Sequence, residues 1–231
     1  MQPFATDTIA PARDEQAYFA HVFGWMGAAL AVTGVVAAGI GHDQRALNAL
    51  VTSDGGWVFL VLLLIELLLV GGLVGLVQHM SVVEAGATFL GYAALNGVTI
   101  SVIFAVFTTG SIYATFFVTA GMFGALAVVG YTTSIDLTGL GGFLSMALVG
   151  LLVGLVVNLF WFNSTLYWVT TVVGVVLFSG LTAFDVQKLK RYETTGGAEA
   201  VEKSAIVGAL ALYLDFVNLF LFLVRIFGRR K

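Results

Sequence analysis

The chain has 231 residues, of which 59% are hydrophobic and only 10% charged, with a mean hydropathy of +1.01, where a soluble domain carries about 25% charge to cover its surface. A net charge of −3, with no basic stripe interleaved with aromatics, excludes a nucleic-acid partner. The absence of cysteine excludes disulfides, thiolate metal sites and cysteine nucleophiles.

The first stretch, MQPFATDTIAPARDEQ, is polar and partly acidic. It lacks the basic n-region and small-residue cleavage site of a signal peptide, so the apolar run behind it is expected to remain as a helix. A transmembrane helix needs about 20 apolar residues to cross about 30 Å of hydrocarbon. That ruler gives seven spans, over residues 19–41, 57–78, 85–107, 112–133, 140–162, 166–189 and 205–227. The organisation expected is a polar arm over 1–18, one transmembrane domain over 19–228 and a basic tail over 229–231. Turn and charge signals separate the spans, among them Gly41-His42-Asp43-Gln44-Arg45, Gln78-His79-Met80-Ser81 and a charged linker from Lys190 to Lys203.

Both prolines, Pro3 and Pro11, precede the first span, so no proline kink is expected. Gly71/Gly75 and Gly150/Gly154 have GxxxG spacing, which allows close helix approach, within the bundle or across a homo-oligomer face. Seven crossings put the two ends on opposite sides. The positive-inside count is then tied, with Arg13, Lys188, Lys190, Arg191 and Lys203 against Arg45, Arg225, Arg229, Arg230 and Lys231. A re-entrant last segment would break the tie.

Acids inside a bilayer are costly and point to function. Three fall within the spans: Glu66 in the second, Asp185 near the end of the sixth and Asp215 in the seventh. No Lys or Arg lies deep in a span to pair with them. Two acids on neighbouring helices can instead share one proton, because like charges in a low dielectric do not both ionise cheaply, and such a pair titrates as a unit. The depths match imperfectly, since Asp185 lies about five residues from its helix end and Asp215 about ten residues into its own, a difference of several Å at about 1.5 Å per residue. The alternative is that each acid bonds separately to Asn, Ser, Thr or backbone. Asn96, Thr99, Ser101 and Asn158 either line an interior path or tie helices together. His21, His42 and His79 are too dispersed for a metal cluster.

Three stretches carry a resemblance: Gly91-Tyr92-Ala93-Ala94-Leu95-Asn96-Gly97; Leu181-Thr182-Ala183-Phe184-Asp185-Val186-Gln187-Lys188-Leu189-Lys190; and Gly208 to Phe220, containing Tyr213-Leu214-Asp215-Phe216-Val217-Asn218, followed by Leu223-Val224-Arg225-Ile226. Together they resemble the bacterial branch of the Bax inhibitor family, the transmembrane Bax-inhibitor-motif proteins, over nearly the whole chain. The resemblance implies an all-α fold with six helices around a central C-terminal seventh. It implies a calcium leak, with Asp185 and Asp215 as pH sensor, gate and transient cation site. It places Glu66, His79, Asn96 and Asn218 as ion-pathway or latch-support residues, and it needs no cofactor beyond the transported Ca²⁺. The family's basic residue near the end of helix two is missing here. Gln78 and His79 stand there instead, and His79 would act as a cation only when protonated.

The implied partners are the lipid bilayer, cations and protons, and a prokaryotic plasma membrane is the implied location. A proton-coupled cation antiporter is a close variant. A regulatory protein that restrains a membrane protease or another membrane partner is the alternative from a different class, with residues 1–18 and 190–203 as its only extramembrane segments. An intramembrane aspartyl protease is disfavoured: Leu212-Tyr213-Leu214 precedes Asp215 where those enzymes use Gly-x-Gly, and no Pro-Ala-Leu element exists. No enzyme activity is expected.

Overall fold

A computed structural model describes residues 10–52, 57–191 and 197–231, with side chains over 15–50, 57–191 and 197–231. The described residues form helices α1 (Ala10–Gly41), α2 (Gln44–Thr52), α3 (Trp57–Leu76), α4 (Val82–Ile100), α5 (Ile103–Val106), α6 (Thr109–Thr132), α7 (Gly141–Phe160), α8 (Ser164–Lys190) and α9 (Ala198–Phe227). Short 3₁₀ turns lie at Val77–His79 and Thr138–Leu140. No strand occurs among the described residues, and one isolated antiparallel bridge joins Phe107 and Arg230.

Seven helical segments are long and apolar enough to cross a membrane, Glu15–Gly41, Trp57–His79, Val82–Val106, Thr109–Thr132, Thr138–Phe160, Ser164–Lys190 and Ala198–Phe227. The fold is therefore all-α with seven candidate crossings. Several bounds differ from those expected. α1 begins at Ala10 and so takes in much of the polar arm, with Pro11 in its first turn, where the missing N–H is not needed. α9 begins at Ala198 and absorbs the end of the charged linker, because Glu199 and Lys203 pair one turn apart at 2.9 Å. At 30 continuous residues α9 is no re-entrant segment. The third span breaks at Ser101-Val102 between α4 and α5, and the short helix α2 was not foreseen.

Sequence patterning is inverted relative to a soluble protein, as lipid requires. Leu64, Leu67 and Leu68 of α3 and Phe143, Met146, Val149 and Val153 of α7 are exposed. α9 is the most buried of the seven candidate spans, with 72% of its apolar window inside against 11% for α7.

The chain divides into two compact units, residues 1–101 with 193–210, and residues 102–192 with 211–231. In the first unit α1 and α3 both pack on α4. Gly97 lies so close to Thr33 and Val36 that a Cβ there would fall 2.7 Å from the Thr33 carbonyl oxygen. The Thr33 hydroxyl donates to the Ala93 carbonyl at 2.8 Å beside it. Ser81 opens α4 with a reciprocal capping box to Glu84. Glu202 joins the start of α9 to α1, accepting from Trp25 Nε1 at 2.8 Å and facing His21 Nδ1 at 2.7 Å.

In the second unit α6 and α7 pack on α8. Leu144, Leu151, Leu177, Phe178, Leu219, Phe222 and Leu223 form its core. Close-approach glycines here include Gly130, facing the Ala183 backbone, and Gly174, facing the Phe222 ring. The GxxxG glycines do not serve this purpose in packing each unit: a Cβ at Gly71, Gly75 or Gly150 meets nothing within 4 Å, and only Gly154 has a neighbour, Thr170 Cγ2 at 3.1 Å. Spacing alone does not reveal which face of a helix is covered.

Candidate functional site

The register between α8 and α9 brings two acids together. The Phe178 and Phe222 rings stack with centroids 5.9 Å apart, and Gly174 leaves room for Phe222 one turn away. Seven residues along each antiparallel helix from that contact lie Asp185 and Asp215. Seven residues are about two turns and about 10.5 Å on either helix, so the acids arrive at one level and on the same face as the rings. The two carboxyl groups face each other between α8 and α9. Asp215 is 4% exposed, and its Oδ2 is buried without a hydrogen-bond partner among the described residues. Asp185 is half-buried. Lys188, on the exposed side of α8, is near enough for its charge to act on Asp185.

An ionised carboxylate only accepts hydrogen bonds, so a bond between two such groups requires a proton on one of them. Two polar side chains nearby are satisfied locally. Thr182 donates to Phe178 O at 2.7 Å and Asn218 Nδ2 to Leu214 O at 2.8 Å, each within its own helix. Phe216 packs edge-on to Phe116 and Phe123 of α6.

The end of α8 is pinned by residues that the sequence reading passed over. Gln187 is buried, donates to Ile135 O at 2.8 Å and accepts from Leu137 N at 2.8 Å, stapling the α6–α7 connection. A glutamine in an apolar run was the available signal. Arg191 adds an ion pair to Asp136 at 2.9 Å and a bond to Thr138 Oγ1 at 2.7 Å. Asp136 lies outside the spans. The Thr138 hydroxyl and amide, with the Arg191 guanidinium, hold its carboxyl down at about 2. Replacing Gln187 with Ala exposes no new charge but leaves the Ile135 carbonyl and Leu137 amide without that partner. Such a loss destabilises by about 1–3 kcal/mol, and a thermal melt of the purified variant in detergent is expected to show the fall.

The first unit holds the third acid separately. Glu66 is buried and accepts from Thr99 Oγ1 at 2.8 Å and Asn96 Nδ2 at 3.3 Å. These bonds tie α3 to α4 and use the polar groups of the third span. Ser101 bonds Val98 O in its own chain segment, and Asn158 accepts from Asn163 N in the α7–α8 turn. His79 lies exposed on the 3₁₀ turn after α3, as does Gln78. Among the described residues no three His, Asp or Glu side chains converge to hold a metal ion. Two carboxyl groups supply at most four of the six to eight oxygens a calcium ion takes. The chemistry available to the pair is proton sharing and brief cation contact.

The model of the family described as "Inhibitor of apoptosis-promoting Bax1" matches residues 15–231. The Escherichia coli K12 inner membrane protein YbhL is 44% identical, over 99% of this chain and 98% of its own. A protein of Borreliella burgdorferi is 40% identical over 93% of this chain and 92% of its own. A membrane protein of Streptococcus pyogenes serotype M3 is 42% identical over 61% of this chain and 62% of its own. With seven apolar helices and these matches over nearly its whole length, the chain belongs to the Bax inhibitor family and is an integral protein of a bacterial plasma membrane.

Proposed function

We propose that the protein is a cation leak, with calcium as the ion carried, governed by a proton shared between Asp185 and Asp215. The observation that supports this reading is the juxtaposition of two intramembrane carboxyl groups on facing helices, one of them with a buried oxygen that has no partner among the described residues. Loss of the shared proton adds a negative charge between α8 and α9, forces the carboxylates apart and creates oxygen ligands of the kind hard cations take. The unpartnered Oδ2 of Asp215 is the atom such a cation would meet first. Glu66, already engaged by Thr99 and Asn96, supports the fold of its own unit in this reading.

Calcium flux into proteoliposomes of the purified protein, measured from pH 5 to 8 beside an Asp185→Asn/Asp215→Asn variant, tests it. The wild type is expected to pass calcium at a rate that depends on pH, and the variant to lose that dependence. Flux no greater than through empty liposomes at every pH would overturn the leak and leave regulation of a membrane partner as the reading to pursue.

A further inference from the structure

Arg225 is the cation whose surroundings the leak does not explain. It sits half-buried in the last turn of α9, with its guanidinium over the rings of Phe222 at 5.1 Å and Tyr167 at 5.6 Å. Among the described residues it makes no ion pair and no side-chain hydrogen bond. Stacking satisfies the flat faces of a guanidinium but leaves its edge, with five N–H donors, unanswered. No Asp or Glu occurs in the sequence between Asp136 and Asp185 or after Asp215, so the second unit offers no acidic side chain at this end.

The tail adds charge at the same place and is held there. After α9 the chain turns at Gly228, where a Cβ would fall 2.6 Å from the Phe107 ring. It then runs back along the α5–α6 connection. Thr108 N donates to Arg229 O at 2.8 Å, Arg229 N to Ser111 Oγ at 3.0 Å and Lys231 N to Val106 O at 3.0 Å. Lys231 Nζ caps the Phe104 carbonyl at 2.7 Å. With the backbone pinned, the Arg229 and Arg230 side chains stay exposed beside the end of α9. Trp161, Phe162 and Trp168 are exposed on the neighbouring α7–α8 turn and first turns of α8. Such aromatics mark the headgroup level of a bilayer, and that is the depth at which a half-buried arginine meets phosphate.

From this geometry we infer that the α9 end is a binding site for the phosphate of an anionic phospholipid headgroup. Arg225 presents the edge of its guanidinium to the phosphate oxygens, Arg229 and Arg230 supply the surrounding positive field, and the exposed aromatics flank the acyl chains. A planar fork of donors suits phosphate better than a point charge does. The site is independent of the aspartyl pair.

Purified full-length protein in mild detergent, titrated with phosphatidylglycerol, with phosphatidylcholine and separately with inorganic phosphate, gives the test, with bound lipid counted by native mass spectrometry. One phosphatidylglycerol should be retained over phosphatidylcholine by about tenfold or more, because both carry the phosphate but the choline cation of the second cancels its net charge and is repelled by Arg225, Arg229 and Arg230. Arg225→Gln should abolish the preference and Arg225→Lys should recover only part of it. Arg229→Gln/Arg230→Gln should reduce it severalfold, while Arg45→Gln, a cation of α2, leaves it unchanged. Equal retention of the two lipids by the wild type overturns the site, as does a preference that survives in Arg225→Gln. Inorganic phosphate at millimolar concentration that displaces the bound lipid would make it a site for free phosphate instead. If Arg225→Gln does not fold, the Arg229→Gln/Arg230→Gln variant decides, since both side chains are exposed, and an undiminished preference there overturns the proposal.

Discussion

Gly130→Ala is expected to lower the thermal midpoint of the protein by several degrees, although it adds one methyl group to a helix. The added Cβ would lie 2.8 Å from Ala183 Cα and 2.9 Å from its carbonyl carbon. Those are backbone atoms of α8 and cannot swing aside as the tip of a side chain would. α6 must then move away from α8, and the contacts around it open. Overpacking of this kind costs about 1–3 kcal/mol, which is about 2–10 °C for a protein of this size. Gly121→Ala is the control. It lies on the same helix, nothing stands within 4 Å of its added Cβ, and its midpoint should not fall. A melt followed by circular dichroism in detergent distinguishes them, and equal midpoints for the two variants would refute the close packing of α6 on α8. Ala183 is two residues from Asp185, so the same displacement reaches the aspartyl pair.

The seven crossings were legible because lipid leaves no other solution for apolar stretches of such length. Their ends were less so. Hydropathy locates the part of a helix that lies in hydrocarbon, whereas hydrogen bonds and charge pairs set where the helix begins. α9 starts at Ala198 because Glu199, Glu202 and Lys203 find partners as helical residues, and a hydropathy ruler treats those same residues as linker. Starting α9 at Ala198 widens the apparent mismatch in depth, to seventeen residues from Ala198 to Asp215 against five from Asp185 to Lys190. Counting from helix ends misled, while counting from a packed contact would have succeeded: each aspartate stands seven residues from a phenylalanine, Phe178 or Phe222, and the two rings stack. Glu66 was legible as a buried acid, and its partners Thr99 and Asn96 come from the polar positions of the third span. The GxxxG spacing marks only one close contact inside the units, at Gly154, and leaves the homo-oligomer face as the other reading of Gly71, Gly75 and Gly150. Gly97 and Gly130, which lie in no such motif, are the ones a backbone neighbour presses against. Gln187 was passed over because a lone amide has no charge to draw notice, yet it holds both backbone groups of the adjoining turn.

Single substitutions in the aspartyl pair are expected to flatten the pH response of calcium flux as completely as the double one. In Asp185→Asn the new amide donates to the Asp215 carboxylate, and in Asp215→Asn the roles reverse. Either way the contact is kept, and the proton that two carboxyl groups had to share is no longer needed. A gate run by one proton changes its open population by at most about tenfold per pH unit, so the logarithm of wild-type flux plotted against pH should approach a slope of one over part of the range. Both single variants should lie near zero slope. Their absolute rates should differ, because Asp215→Asn removes the deeper carboxylate and its unpartnered oxygen, whereas Asp185→Asn leaves that oxygen in place and removes the group nearest Lys188. Glu66→Gln separates this from a general effect of intramembrane acids: its partners Thr99 and Asn96 lie in its own unit, so the slope should survive. A slope retained in either aspartate variant, or lost in Glu66→Gln alone, would place the titrating group elsewhere, because a shared proton cannot outlast the loss of one of the two groups that share it.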